Sequence, residues 1–371
     1  MKFKRIVATG EPGFLYRRQY LFQALSPHFD RFDTLPCGEF YSLELLDRIA
    51  NFLFKVAYRF SVSQADRWFQ KNPRAYRIKS RNAERKIRQL QPPPDLVFHV
   101  FGLFAPFWDS FEIPYTLYLD YTMALAAQNW PQWAPFSTPE ALAAWMACER
   151  QTYRRAYRIF AISQRVKSSL IEDYGIEGDR IIVVGSAPNF NEPYELEKPL
   201  GSQQILFNAS DFKRKGGDLV LAAFPQVKKA LPNATLTIVG RQLNLPLSEG
   251  VSNPGRIGSR EAMRELFVRS DLVLSPSYCD PFPIFVMEAM SHGVPCIVSN
   301  RDGMPEIVND RDNGRVLPIQ DPELLAEYII EVLGNLKQLK RYSQAAKQTI
   351  KTRLNWPTIA DKMLLALSET P

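Results

Sequence analysis

Apolar residues fall along the chain in short runs rich in Val, Ile, Leu, Phe and Tyr. Between most of these runs lies a longer stretch with helical spacing. The runs at 5–9, 95–101, 115–119, 158–162, 180–184, 204–208, 235–239, 272–275, 295–299 and 314–317 predict ten strands. Strands alternating with helices imply parallel sheets covered by helices, the doubly wound α/β class, and ten strands divide naturally into two sheets. The segment 186–202, SAPNFNEPYELEKPLGS, has no periodicity and is rich in Pro, Asn, Ser and Glu, which predicts a seam. The expected organisation is a first domain over 1–190, a second over 191–352, and a final helix within 353–371. In that helix Ile359, Met363, Leu364 and Leu367 share one face, and it could pack back across the seam.

One block departs from this rhythm. Residues 41–60 carry Leu43, Leu45, Leu46, Ile49, Phe52, Leu53, Phe54, Val56 and Phe60. After Pro73, five arginines recur at spacings of three or four: Arg74, Arg77, Arg81, Arg85 and Arg88. Such spacing lines them along one helical face. That face reads either as the solvated side of a helix or as a ridge for phosphates or an anionic membrane surface. No nucleic-acid-binding motif accompanies the charge, so nucleic acid is not an expected partner.

Composition narrows the class. The chain has 371 residues, 46% apolar and 23% charged, which excludes a disordered chain and a disulfide-held mini-protein. A net charge of +7 favours acidic partners such as nucleotides or phospholipids without choosing among them. The four cysteines (37, 148, 279, 296) and three histidines (28, 99, 292) form no metal-binding spacing, so no metal or cofactor is expected. The cysteines read as small residues of a reducing cytosol. The apolar run after the basic N-terminus is too short and polar for a signal peptide. No run of about 18 apolar residues is present to span a bilayer. The expected location is therefore cytoplasmic, peripheral at the inner membrane face if the arginine ridge binds lipid.

Chemistry concentrates in two stretches. In 275–314, SPSYCDPFPIFVMEAMSHGVPCIVSNRDGMPEIVNDRDNG, a strand ends in a Pro/Ser/Asp loop and a helix opens near Pro283. Ligands of open α/β sheets bind at such strand ends, and exposed first-turn N–H groups favour phosphate. Asp280 and Glu288 flank the helix start, and each carboxylate can accept hydrogen bonds from vicinal sugar hydroxyls; a helix cap and a surface residue would look the same. In 205–224, a strand runs into Lys213, Arg214 and Lys215, followed by Gly216 and Gly217. Cations beside glycines that admit a close ligand suit a diphosphate, although a basic turn is equally ordinary. Asp310 and Asp312 spell D-x-D but sit in a turn away from this loop. Neither a dinucleotide-binding G-x-G-x-x-G nor a P-loop occurs. His292 reads as a packed or capping histidine, and Cys279 has no histidine partner to make it a nucleophile.

The order of these elements resembles the C-terminal domain of retaining GT-B glycosyltransferases of family 4. The quoted residues are Lys215-Gly216, Val239-Gly240, Ser275-Pro276-Ser277, Asp280 to Pro283, Glu288-Ala289-Met290, Gly293-Val294-Pro295, Gly303 to Val308 and Asn313-Gly314. The likeness spans about 205–365 and is weaker in the first half, where 148–190 and the Pro-Asp-strand element near 94–100 resemble that family's first domain; residues 30–90 do not align. The resemblance implies two Rossmann-like domains facing each other across a cleft. The implied activity is metal-independent transfer of a hexose, with retention, from a nucleotide sugar to a hydroxyl of a glycan or lipid-linked acceptor. Glu288 would hold the donor ribose and Asp280 the sugar hydroxyls. Backbone N–H groups near Phe282, Pro283, Ile284 and Phe285 would face sugar and phosphates, and Lys215, aided by Arg214 or Lys213, would neutralise the diphosphate. Gly240 belongs to the same motif, and the loop 10–13, with Gly13, would approach donor or acceptor from the other domain. Three departures stand out: Asp280 replaces the usual glutamate, Ala209 replaces an arginine, and Asp120 stands where a histidine is common. Asp120 would meet the donor sugar or the acceptor hydroxyl, or simply cap a turn. The same scaffold would also suit a sugar-nucleotide epimerase or a phosphorylase-like enzyme. The arginine face would alternatively suit a non-catalytic binder of lipid or glycan.

Overall fold

The computed structural model describes residues 3–38, 45–109, 112–190 and 198–369. The chain divides into two compact units, Met1–Gly185 with Ala360–Pro371, and Ser186–Ile359. The first unit holds a parallel sheet of β1 (Arg5–Gly10), β2 (Arg31–Pro36), β3 (Leu96–Val100), β4 (Tyr115–Leu119), β5 (Arg158–Ala161) and β6 (Ile181–Val183), in the order β2-β1-β3-β4-β5-β6. The second holds β7 (Gln204–Asn208), β8 (Thr235–Val239), β9 (Val251–Gly255), β10 (Leu272–Ser275), β11 (Cys296–Ser299) and β12 (Gly314–Leu317), again all parallel, in the order β12-β11-β10-β7-β8-β9.

All ten expected strands are present. The two that the apolar pattern did not signal, β2 and β9, are both sheet edges. A central parallel strand is buried on both faces and reads as a continuous apolar run. An edge strand has one neighbour and tolerates charge and proline. β2 reads RFDTLP and β9 reads VSNPG, and neither shows a fully buried row.

In the second unit, Leu219, Val220, Ala223, Phe224 and Val227 of helix Gly217–Ala230 pack with Leu325, Ala326, Ile329 and Val332 of helix Pro322–Gly334. Both rows cover Ile205, Phe207, Leu236 and Ile238 of the sheet. The last helix, Trp356–Ser368, begins in the second unit, where the Trp356 indole donates to the Pro188 carbonyl at 2.7 Å. It ends in the first, where Arg158 Nε donates to the Ala366 carbonyl at 3.4 Å.

The arginine series lies on helix Pro73–Arg88, capped by the Asn72 side chain, with all five guanidinium groups on the exposed face. Two of them are committed to carboxylates. Arg81 holds Asp109 at 2.9 and 3.3 Å, and Arg88 holds Glu84 at 3.0 Å and Glu112 at 3.3 Å. Arg77 lies 5.9 Å from the Trp108 ring centroid. Among the described residues no helix is long and apolar enough to cross a membrane.

Candidate functional site

β7 and β10 are direct neighbours, with Leu272 opposite Ile205, so the loops leaving their carboxyl ends start side by side. Two glycines let the loops at this sheet end approach one another, Gly216 the β7 and β10 loops and Gly240 the β7 and β8 loops. Gly216 has φ +77°, and a Cβ there would stand 2.3 Å from the Pro276 carbonyl oxygen, so no other residue fits. Gly240, at the end of β8, has φ +101°, and its Cβ would lie 2.6 Å from Asn208 Oδ1 and 2.7 Å from the Ser210 nitrogen. The Tyr278 N–H donates to the Arg214 carbonyl at 2.8 Å and fastens the two loops together.

This contact brings three of the expected residues together. Lys215 Nζ is 2.8 Å from Asp280 Oδ2, and Arg214 Nη1 is 3.5 Å from the same oxygen. Arg214 also donates to the Cys279 carbonyl at 2.6 Å and to Asp211 Oδ2 at 3.0 Å. The Lys215, Arg214 and Asp280 side chains keep only 11–12% of their surface, so a ligand reaching them would be largely desolvated. Lys213 does not join them. It is exposed, pairs with Asp218 and lies 5.2 Å from the Tyr278 ring centroid.

The loop carrying Asp280 is pinned from the β11 side. The Asp280 N–H donates to Asp302 Oδ2 at 2.9 Å, Ser299 Oγ to the Ser277 carbonyl at 2.8 Å, and the Gly303 N–H to the Pro281 carbonyl at 3.0 Å. Asp302 escaped the sequence reading; its one signal was the Asn-Arg-Asp-Gly turn at the same sheet end as the donor loop. Helix Ile284–Ser291 follows, with Pro283 at its N-cap and no side chain capping it. The Val286 N–H donates to the Pro283 carbonyl at 3.2 Å, so the Ile284 and Phe285 N–H groups are the ones an anion can engage. Phe282 and Pro283 are buried, Ile284 and Phe285 half-buried, and Phe285 packs 5.2 Å from Phe267.

Glu288 is half-buried on this helix. Burial pushes its carboxyl up to about 7, against the opposing pull of the Asn189 backbone N–H and the Arg260 charge. His292 closes the same helix: Nδ1 lies 2.8 Å from the Glu288 carbonyl and the ring stacks on Phe267 at 5.2 Å. That is the capping and packing role expected of it. Asp310 accepts from Arg315 Nε and the Val316 N–H, both at 2.9 Å, so the D-x-D segment is a bonded turn.

In the first unit, Asp120 stands just past β4. Burial raises its carboxyl pKa, opposed first by Arg18, whose Nη2 is 3.6 Å from Asp120 Oδ2. Arg18 is itself 6% exposed and lies 5.1 Å over the Tyr118 ring, with Nε and Nη1 lacking hydrogen-bond partners. Sequence reasoning missed Arg18, because the adjacent Arg17-Arg18 pair in an amphipathic stretch carries no motif. Gly13 does not lie in a loop, contrary to expectation. Only Glu11 separates β1 from helix Pro12–Arg17, because Pro12 is well placed to start a helix. A Cβ at Gly13 would meet nothing within 4 Å, so no close backbone approach requires glycine there.

Comparison with known proteins agrees with this architecture. Residues 50–187 match the family Glycosyltransferase Family 4, and residues 189–349 match Glycosyl transferases group 1. Glycogen synthase of Mycobacterium tuberculosis is 24% identical over 71% of this chain; the match spans 64% of that protein's length, so this chain spans less than two-thirds of it. Sucrose-phosphate synthase of Thermosynechococcus elongatus superposes with a TM-score of 0.69 at 17% identity, over 98% of both chains. Anabaena HepE, solved with UDP and glucose, superposes with a TM-score of 0.61 at 16% identity, over 99% of both. With two parallel six-stranded sheets and both halves matched in order by glycosyltransferase families, 50–187 by Glycosyltransferase Family 4 and 189–349 by Glycosyl transferases group 1, the chain has the GT-B glycosyltransferase fold.

Proposed function

We propose that the chain transfers a hexose from a nucleoside diphosphate donor to a hydroxyl acceptor, with retention of anomeric configuration and without a metal ion. The observation that carries this reading is the Lys215–Asp280 pair, 2.8 Å long, beside Arg214 at an uncapped helix N-terminus. At rest the carboxylate balances the cations. An arriving diphosphate competes for Lys215 and Arg214, which frees Asp280 to accept hydrogen bonds from the sugar. Glu288, further along the helix, accepts the ribose hydroxyls. The bond between the anomeric carbon and the diphosphate oxygen breaks, leaving positive charge on the sugar and negative charge on the phosphate. Lys215, Arg214 and the helix N–H groups stabilise that negative charge. The acceptor oxygen bonds to the same face of the anomeric carbon, and its proton passes to the departing phosphate oxygen.

Calorimetry with UDP, GDP, ADP and their hexoses, followed by turnover with and without chelator, tests the reading. One nucleotide series should bind, turnover should survive chelation, and proton NMR should find the product with the donor's anomeric configuration. Unchanged donor affinity and turnover in both Lys215→Ala and Glu288→Ala would overturn it.

A further inference from the structure

Helix Leu45–Phe60 presents an apolar stripe to solvent. Ile49, Phe52, Leu53, Val56 and Phe60 recur at helical spacing on one side, with exposures of 49, 66, 50, 37 and 86%. Phe54 lies off the stripe and is half-buried: its ring lies 5.7 Å from that of Tyr58, itself 50% exposed, and 5.9 Å from Phe69 of helix Val62–Phe69. That second helix adds exposed Val62 and Trp68, at 50 and 61%. Exposed Lys55 and Arg59 stand along one edge of the stripe. Scattered apolar residues need no explanation, but a contiguous stripe with two exposed phenylalanines does.

We propose that this stripe seats in the headgroup region of an anionic lipid bilayer, with Phe52, Leu53, Val56 and Phe60 reaching the acyl boundary and Lys55 and Arg59 meeting lipid phosphates. Charge complementarity selects this occupant. The flanking cations and the chain's net charge of +7 suit anionic headgroups. A helix with a narrow apolar face, aromatic residues and a basic margin lies in a membrane interface rather than spanning it. The arginines of helix Pro73–Arg88 are not needed for this. The inference goes beyond the transfer reaction and does not depend on it; if both hold, the acceptor is presented at a lipid surface.

Flotation of the full chain with phosphatidylcholine vesicles, with and without phosphatidylglycerol, tests it. The protein should float with the anionic vesicles and largely remain behind with the zwitterionic ones, and added salt should weaken binding. The double variant Phe52→Ser/Phe60→Ser should lower vesicle affinity by about tenfold or more, and Lys55→Gln/Arg59→Gln should remove part of the salt dependence. Both variants alter exposed positions, and an unchanged thermal melt with unchanged nucleotide binding by calorimetry keeps the result separate from folding and from the donor site. Absence of binding to anionic vesicles, or binding unchanged in the double phenylalanine variant, overturns the proposal. So does a self-associating wild-type chain that ignores vesicles and becomes monomeric in that variant, which would make the face a contact between copies.

Discussion

Lys215 and Asp280 illustrate how a single residue acquires its role from a partner 65 positions away. Lys215→Ala removes the cation nearest the proposed leaving group, so kcat should fall by an amount equivalent to about 2–4 kcal/mol of barrier, with little change in the melting temperature. Glu288 supplies a pH test. Its carboxyl is raised to about 7 by burial, and only the ionised form accepts both ribose hydroxyls. Donor affinity should therefore rise with pH, by about tenfold from one unit below that value to one unit above. Isothermal titration across that range checks the sign, and Glu288→Gln should flatten the profile.

At the scale of elements, the site depends on three loops being held at one sheet end. Gly240→Ala would force a Cβ into Asn208 and Ser210 at a left-handed φ, at a cost of about 1–3 kcal/mol that denaturant unfolding would read. Asp302→Ala removes the acceptor of the Asp280 N–H. Stability should drop by about 1 kcal/mol, while turnover falls further because the Asp280 carboxylate loses its set position. The strand runs and the opening of helix Ile284–Ser291 were legible because buried parallel strands and proline-started helices leave strong local patterns. β2 and β9 were not: these two edge strands carry charge, polar residues and proline in place of an apolar run, whereas the other edges, β6 and β12, keep one. Asp302 was not either, since a turn residue gives no sign of which distant N–H it will accept.

At the scale of the whole molecule, buried carboxyls set the response to pH. Glu149 is 2% exposed, accepts a hydrogen bond from the Tyr174 hydroxyl, and is raised by burial to about 7. The folded protein holds this proton to higher pH than the unfolded chain does, so the contribution is full below about 4.5 and is lost as pH rises through about 7. Glu149→Gln should flatten the stability profile across that window by about 3 kcal/mol, as measured by urea unfolding at a series of pH values. The Trp356 indole bond to Pro188 ties the last helix to the segment at the start of the second unit. Its tryptophan was visible in the sequence, but its acceptor was not.

The sequence by itself determined the class of fold, ten of the twelve strands and the positions of Lys215, Asp280 and Glu288 along strand-end loops and a helix, because side-chain periodicity and backbone preference are local properties. Only the tertiary structure decided that Arg214 joins Lys215 while Lys213 turns to Asp218, that Arg18 faces Asp120, and that the stripe on helix Leu45–Phe60 looks outward. Each of those outcomes depends on which surfaces the chain leaves uncovered, or on a meeting of residues distant along it, and local periodicity carries no record of either.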